Sequence, residues 1–340
     1  MRRTVLAVLI LGGVFAIAAA GPAYAQSKVG TTIGNFLKIE PSARGGAMGN
    51  AGVALPGGIE AVYYNTGAIG LLEKPSVQYS HNVWFADISY NYAAFSLPVS
   101  GTGNIFASVT ALSSGDIMVR TVEQPLGSGV NYKATNVALG LAYGMRITSR
   151  FSAGLQANYI TESIWNTSYN AFSVNIGTVY KLSESGAILA FCLSNLGTRA
   201  SFEGDALDVQ YDADPDAYGD NSALPADQST DEFSLPGLIR LGLSLPVVVG
   251  ENSEMLFLIE GLHPNDNSES MNLGAEWSLW RILALRGGYQ TLFQTDSQLG
   301  LTFGFGVQGD LGDNRFELNY AWAGHDYLED THRFTMVIEF

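Results

Sequence analysis

The densest group of potential ligand atoms in the sequence is an acidic stretch between residues 201 and 233. This stretch contains ten carboxylates and no basic residue. Four aspartates within it have the early spacing of a calcium-binding loop: Asp212, Asp214, Asp216 and Asp220. The match is partial, because the sixth position is Ala217 instead of glycine and the twelfth is Ala223 instead of glutamate. The spacing leaves two alternatives, weak calcium binding or a solvated acidic loop, and nothing else in the sequence predicts a cofactor.

The histidines and the single cysteine lack the spacing that catalysis requires. The four histidines lie near predicted extracellular strand ends: His81, His263, His325 and His332. Asp87 or Asp326 could partner one of them, but the chain has no Gly-x-Ser-x-Gly, His-Glu-x-x-His or Cys/His ligand pattern. Cys192 has no second cysteine with which to form a disulfide. We therefore expect a non-enzymatic protein whose histidines are loop or interface groups.

Much of the chain alternates between apolar and polar residues with a period of two. The sequence is 47% hydrophobic and only 14% charged, yet no stretch after residue 25 is long and apolar enough for a membrane helix. The segments from Phe151 to Tyr159 and from Leu299 to Val307 instead place large apolar residues opposite small or polar ones. Such alternation predicts β-strands with one apolar face.

Three features favour a membrane barrel over a soluble β-sandwich, which would also alternate. The alternating runs reach about ten residues, roughly twice the length of a sandwich strand. Aromatic residues cluster near the strand ends, as they do at membrane interfaces. The chain ends on Phe340, which resembles the C-terminal signal read by the barrel-assembly machinery, an expected partner. The sequence therefore predicts an all-β protein, a transmembrane antiparallel β-barrel.

Fourteen alternating segments can be counted in the predicted barrel domain, residues 75–340. The first spans Ser76 to Val83 and the last Thr331 to Phe340. An even number of strands places both termini of the barrel domain on the periplasmic side. The connections after odd-numbered strands then face outwards. These include the two longest, Ser113 to Tyr132 and the acidic extracellular loop 196–236. Long outer loops and short periplasmic turns are typical of such barrels, which predicts localisation in the cell outer membrane.

Residues 1–25 have the composition of a signal peptide. Arg2 and Arg3 precede an apolar run from Val5 to Ala20, and Ala23-Tyr24-Ala25 follows as a cleavage pattern. An uncleaved membrane anchor is the alternative, although the run is short for a span. The formal net charge is −15, and a chain this acidic lacks the basic surface that nucleic acid requires. Outer-membrane lipid and lipopolysaccharide are the expected surroundings.

Residues 26–74, before the first strand, are rich in small residues and do not alternate for long. Small residues allow backbones to approach closely, so we expect this segment to fold into the lumen as a plug. A periplasmic tail is the alternative. The residues expected at the plug or its gate are Arg44, Gly45, Met48, Gly49, Asn65 and Gly67.

The same segment and the end of the chain carry a family resemblance. Residues 43–51 read Ala-Arg-Gly-Gly-Ala-Met-Gly-Asn-Ala, and Tyr63-Tyr64-Asn65 follows. Near the C terminus, Asn319-Tyr320-Ala321 precedes Thr331-His332-Arg333-Phe334. These motifs resemble the PorV/PorQ family of outer-membrane proteins, itself similar to the FadL channels for hydrophobic compounds. One element departs from the family: its Asn-Pro-Ala is here Asn65-Thr66-Gly67, in which glycine keeps the turn but proline's rigidity is lost.

The resemblance implies a fourteen-stranded FadL-like barrel with the N-terminal segment inside it, and it leaves two functions open. A PorV-like protein would act in protein export of the type IX secretion kind, binding an exported cargo protein or a secretion translocon through its extracellular loops. A FadL-like protein would instead pass small hydrophobic compounds, with Asn65 and Gly67 near the gate. Because the terminal motifs look more PorV-like, protein export is the first prediction and the channel is the alternative.

Overall fold

A computed structural model of the chain describes residues 28–99, 101, 103–214, 216, 223–294 and 297–340. The predicted signal peptide, residues 1–25, lies outside these ranges. No helix in the described ranges combines the length and the apolar content needed to cross a membrane.

Fourteen strands within the described residues pair in antiparallel fashion and close into a barrel. In chain order they are β1 (Ser76–Val83), β2 (Ser89–Val99), β3 (Gly103–Ser113), β4 (Ala134–Arg146), β5 (Phe151–Ile164), β6 (Thr167–Lys181), β7 (Ile188–Gly197), β8 (Leu238–Gly250), β9 (Ser253–Pro264), β10 (Ser270–Leu279), β11 (Leu283–Leu292), β12 (Leu299–Leu311), β13 (Asn314–His325) and β14 (Thr331–Glu339). Each strand pairs with its neighbours in sequence, and β1 pairs with β14, where Ser80 faces Thr335. The predicted fourteen-stranded antiparallel barrel is confirmed.

Strand boundaries differ from the predicted ones by a few residues. The first strand has the predicted bounds, and the last ends at Glu339, after which the Phe340 amide donates to the Pro75 carbonyl at 2.9 Å. The largest difference is in β8: the alternation in the sequence predicts a strand from Gly237 to Pro246, whereas β8 continues to Gly250. It continues because Pro246 still pairs with Leu256 of β9, and the ladder runs on through a bulge after Val248.

The outer face of the barrel is apolar and exposed. On β4, for example, Leu139, Leu141 and Tyr143 point outwards, and Leu141 is 64% exposed. The residues between them, such as Ala138 and Ala142, are buried against the interior. In lipid no water can satisfy backbone groups, so a closed ladder with apolar outward side chains is the stable arrangement for strands. This architecture places the protein in the bacterial outer membrane, as predicted.

The two ends of the barrel differ in the length of their connections. The long connections, 114–133 and 198–237, lie at one end, and each contains a two-stranded hairpin: Ile117–Met118 with Asn131–Tyr132, and Asp208–Tyr211 with Leu224–Asp227. The alternation pattern did not predict these hairpins, because their strands are only two and four residues long. At the other end lie short turns: 147–150, 182–187, 251–252, 280–282 and 312–313. The long-loop end is therefore extracellular and the short-turn end periplasmic.

Candidate functional site

Residues 28–74, hereafter the N-terminal segment, pack against inward-facing residues of the barrel wall. The segment forms two short α-helices, α1 (Ala43–Ala47) and α2 (Ala61–Tyr64), and two 3₁₀ turns, Asn35–Lys38 and Thr66–Leu71. Ser42 begins α1 because its side chain accepts a hydrogen bond from the Gly45 amide. Most of the segment from residue 41 to 70 is buried. Its role as a plug stays a prediction.

Glycines on the wall and in the segment bring the two backbones together. Gly49 has a φ of 65°, and a Cβ there would lie 2.5 Å from the Leu273 carbonyl oxygen of β10. A Cβ on Gly274 would come equally close to the Met48 carbonyl oxygen. Only glycine fits both positions. The inward glycines of the strands were visible in the sequence as part of the small or polar face, but their meeting with the segment was not predicted.

Arg44 of α1 forms the main charged contact with the wall. Its Nη2 and Nε donate to the two oxygens of Glu276 on β10, at 2.8 and 3.0 Å. The same carboxylate accepts from Nε of Arg286 on β11 at 2.6 Å. The side chains of Glu276 and Arg286 are 7% and 5% exposed, so one buried carboxylate stabilises two arginines. A buried charge requires such partners.

The network returns from the wall to the N-terminal segment. Arg286 also donates to Asn319 of β13 at 2.8 Å, and Asn319 donates to Glu60 at 3.0 Å. The other oxygen of Glu60 accepts from the Ser42 hydroxyl at 2.6 Å. The capping residue of α1 and the residue that precedes α2 are thereby joined to three strands of the barrel.

A second charged contact lies on β8 and β9. Arg240 donates to Glu260 at 3.1 Å and to Glu40 of the segment at 3.0 Å. Its guanidinium lies 5.5 Å from the centre of the Tyr64 ring, a cation–π distance. Glu260 accepts in addition from the Val53 amide at 2.8 Å. Charge-assisted hydrogen bonds therefore hold the segment against four consecutive strands, β8 to β11.

The predicted gate residues Asn65 and Gly67 lie in the buried turn between α2 and the wall. The Asn65 side chain accepts from the Gly67 amide at 2.8 Å and donates to the Val53 and Thr178 carbonyls at 3.0 Å. It thus begins the 3₁₀ turn and connects it to β6. A Cβ on Gly67 would lie 2.8 Å from the Thr178 backbone, so this glycine permits the contact. The structure brings these residues to the wall, and their role as a gate stays a prediction.

Two cavities lie on opposite sides of the segment. The periplasmic cavity, about 500 Å³, is lined by charged residues that include Arg44, Glu60 and Glu276, and by the short turn at Gly186. The second, about 50 Å³, lies towards the extracellular end and is lined by Tyr63, Tyr92 and four side-chain amides: Gln156, Asn158, Asn175 and Asn195. We call this second space the amide cavity. The N-terminal segment contributes residues to both.

An apolar cluster of side chains in the extracellular half of the lumen encloses the space that the Phe36 side chain fills. Its walls come from β5 and β6, with Ile160, Tyr169 and Ala171, and from the long loop, with Leu235. Phe36 is buried there, with Ile33 and Leu37 packed beside it. We call this space the outer pocket. Sequence reasoning missed it, because the residues that enclose Phe36 come from separate parts of the chain.

The acidic loop carries the predicted calcium ligands. The Asp212 carboxylate accepts from the Asp214 amide at 3.1 Å, and the Asp214 carboxylate accepts from the Asp216 amide at 3.3 Å. Asp220 lies outside the described residues. In the part of the chain that the structure describes, no three acidic, histidine or cysteine side chains are grouped as metal ligands would be. Calcium binding in this loop stays a prediction.

The four histidines bond to neighbouring side chains near the extracellular ends of their strands. The bonded pairs are His81 with Asn91, His263 with Glu269, His325 with Thr331, and His332 with Tyr320. Glu269 lies outside the strands, and hydrogen bonds from its own amide and from His263 lower the pKa of its carboxyl. That these histidines are loop or interface groups stays a prediction.

Comparison with solved structures identifies the type of barrel. No protein-family model matches the chain, and no curated protein matches it significantly. The Pseudomonas putida toluene transporter TodX has a TM-score of 0.56 at 13% identity, covering 88% of this chain and 97% of TodX. A Pseudomonas aeruginosa FadL homologue gives 0.53 at 10%, covering 88% and 98%. The CymD monoaromatic hydrocarbon channel gives 0.53 at 10%, covering 89% and 98%.

This chain has the fold of the FadL-like channels. At these identities the likeness shows the fold alone. The PorV/PorQ resemblance of the terminal motifs stays a prediction.

The shared carboxylate of Glu276 gives a stability prediction. Glu276→Gln removes the charge that neutralises Arg44 and Arg286, and a buried ion pair broken on one side costs about 3–5 kcal/mol. We expect the free energy of unfolding to fall by about that amount, measured by urea titration of the protein in lipid vesicles. The matched control is Glu73→Gln, whose partner Arg146 is exposed and 3.4 Å away, with an expected loss below about 1 kcal/mol. Equal losses in the two variants would contradict the assignment.

Proposed function

We propose that the protein is an outer-membrane channel that takes up small compounds with an apolar part, and that its N-terminal segment closes the lumen as a plug. The observation that carries the proposal is the position of Phe36 in the outer pocket. An apolar pocket inside a lumen that is otherwise rich in polar side chains binds apolar groups, because burial removes them from water. In the closed channel the protein's own side chain occupies that pocket.

The contacts of the segment divide it into a fixed part and a displaceable part. The fixed part, residues 42–72, is bound to the wall through Arg44 and Asn65 and by close backbone contacts. The outer part, residues 32–38, is held by Lys38 and Thr32, which both donate to Asp266, at 2.6 and 2.8 Å. The Ile33 amide also donates to the Ser234 carbonyl at 3.1 Å, and the Leu37 carbonyl accepts from the Tyr63 hydroxyl at 2.8 Å. Movement of residues 32–38 would open the outer pocket and leave the buried network of Glu276 intact.

The solved neighbours support a small hydrophobic compound as the cargo. TodX is described as a toluene transporter and CymD as a monoaromatic hydrocarbon channel. The periplasmic cavity of about 500 Å³ provides a volume of the size of a small-molecule site on the other side of the segment. A compound released from the outer pocket would have to pass the fixed part of the segment, at Asn65 and Gly67, to reach it.

Phe36→Ala tests the channel directly. Removing a buried phenylalanine side chain costs about 3–5 kcal/mol in a packed core, so docking of the outer part weakens and the open population rises at least about tenfold. We expect a corresponding rise in the uptake of toluene by proteoliposomes. Phe172→Ala is the control, since this residue is 61% exposed on the outer face of β6. Uptake by the Phe36→Ala protein equal to that of the Phe172→Ala protein and of empty vesicles would contradict a plugged channel.

Protein export of the PorV/PorQ type is the second candidate. The observation that favours it is the exposure of apolar side chains in the extracellular connection 114–133, where Val122 and Leu126 are 101% and 92% exposed. Two such side chains in one hairpin loop are suited to contact a partner protein. An exported cargo protein or a secretion translocon would bind there.

Pull-down from native membranes distinguishes this second candidate from the channel. We expect Val122→Asp combined with Leu126→Asp to lose a co-purified exported or secretion protein, because charges in an apolar contact must be desolvated. The control is Tyr327→Asp, a change at an 85% exposed residue of another outer loop. Recovery of the unmodified barrel alone, without any exported or secretion protein, would remove the export role.

A further inference from the structure

The amide cavity lies beside the outer pocket, towards the extracellular end of the lumen. Leu238, the first residue of β8 after the long loop, and Asn195, near the outer end of β7, lie in its wall. Leu37 lines the cavity and also packs against the cluster around Phe36. Movement of residues 32–38 would therefore join the amide cavity to the outer pocket in one continuous site.

Apart from Lys38 and Arg240, the polar groups of the cavity are uncharged amides and hydroxyls with hydrogen-bonding capacity to spare. Gln156 donates to Asn158 at 2.8 Å, and Asn158 donates to Ser173 at 3.1 Å. The Asn175 side-chain oxygen accepts from the backbone N–H of Asn195 at 2.7 Å, and the Asn195 side chain donates to the Pro236 carbonyl at 3.0 Å. A side-chain amide offers two donor hydrogens and a carbonyl with two lone pairs, so these bonds use only part of what is available. The remaining donors and acceptors can bind a ligand's polar group.

The charges of the cavity are neutralised by residues outside it. Lys38 and Arg240 are its cations. Lys38 pairs with Asp266 at 2.6 Å and moves with residues 32–38, whereas Arg240 keeps Glu260 and Glu40 as partners in the joined site, at 3.1 and 3.0 Å. Among the described residues, no carboxylate lines the cavity itself. A cationic ligand would find no counter-ion there, and an anionic one would have to compete with carboxylates already in place. The cavity therefore favours an uncharged ligand.

Aromatic rings form the apolar side of the cavity. Tyr63 and Tyr92 meet edge to face, with centroids 5.8 Å apart at 87°. The Tyr63 hydroxyl donates to the Leu37 carbonyl at 2.8 Å, which connects this ring to residues 32–38. An apolar cavity of roughly 150 Å³ holds benzene, so the amide cavity of about 50 Å³ needs the outer pocket's volume to take a ring.

We infer that the joined site binds an uncharged aromatic compound that carries a hydrogen-bonding substituent, such as a phenol or an aromatic alcohol. The ring would replace Phe36 in the outer pocket, and the substituent would bond to Gln156 and Asn158. This inference rests on the proposed channel and specifies its cargo. A pure hydrocarbon would fill the outer pocket but leave the amides without partners, and sites built from buried hydrogen-bonding groups discriminate strongly against such analogues.

The experiment compares four probes of similar size on the full-length protein in detergent micelles, by saturation-transfer NMR and calorimetry. Benzyl alcohol is uncharged and polar, toluene is a hydrocarbon, benzoate is anionic and benzylammonium is cationic. We expect benzyl alcohol to bind at least about tenfold more tightly than each of the others. In the Asn158→Leu variant the ratio of the affinity for benzyl alcohol to that for toluene should fall to about twofold or less. The control, Gln308→Leu, removes an amide from the periplasmic cavity and should keep this ratio unchanged.

The outcomes separate this inference from the channel itself. If toluene binds as tightly as benzyl alcohol, or benzoate binds more tightly, the inferred cargo class is wrong, while toluene uptake through Phe36→Ala still supports the channel. If none of the probes binds and Phe36→Ala shows no uptake, both proposals fail. If Asn158→Leu does not fold, Gln156→Leu removes the adjacent amide and must abolish the preference in its place. Retention of the full preference in a folded variant at either position would also overturn the inference.

Discussion

The lipid around the barrel is the constraint on which the rest of the structure depends. Strands in a bilayer must satisfy every backbone group within a closed ladder, so alternate side chains necessarily point into lipid and into the lumen. The outward set is apolar, as on β4 around Leu141, and the inward set includes buried polar residues such as Gln78, Glu260 and Arg286. Apolar packing alone cannot satisfy these inward polar side chains. The segment that lies in the lumen must therefore also supply hydrogen-bonding and charged groups.

The N-terminal segment meets this polar wall in two ways. Where the wall carries glycine, as at Gly274, backbone lies directly against backbone; where it carries charge, as at Glu276 and Arg240, the segment supplies the counter-charge from Arg44 or Glu40. These bonds are specific in position, so they fix the inner part of the segment. Apolar contacts accompany both parts of the segment, in the cluster around Met48, Ile59 and Ile69 and in the smaller cluster around Phe36 near the extracellular end.

The sequence alone was sufficient for the barrel but not for the site. Period-two alternation and the parity of the long loops predicted fourteen strands, because register and face are set by local pattern. The pairing of Arg44 with Glu276 joins residues 232 positions apart, and no local pattern predicts it. The outer pocket was missed for the same reason, since Phe36, Ile160 and Leu235 come from three separate parts of the chain. The sequence predicted close packing for Gly45 to Gly49. It did not predict which strand these glycines contact.

The central claim, that the N-terminal segment occupies the lumen, is tested most directly by cysteine labelling. Cys192→Ser first removes the one native cysteine. Met48→Cys and Val122→Cys are then each exposed to a membrane-impermeant maleimide that is both enclosed in the proteoliposomes and added outside them, so that it reaches both ends of the barrel. Met48 is 0% exposed and Val122 fully exposed. The account predicts prompt labelling at position 122 and labelling at position 48 only after denaturation. Equal labelling at both positions in the folded barrel would contradict it.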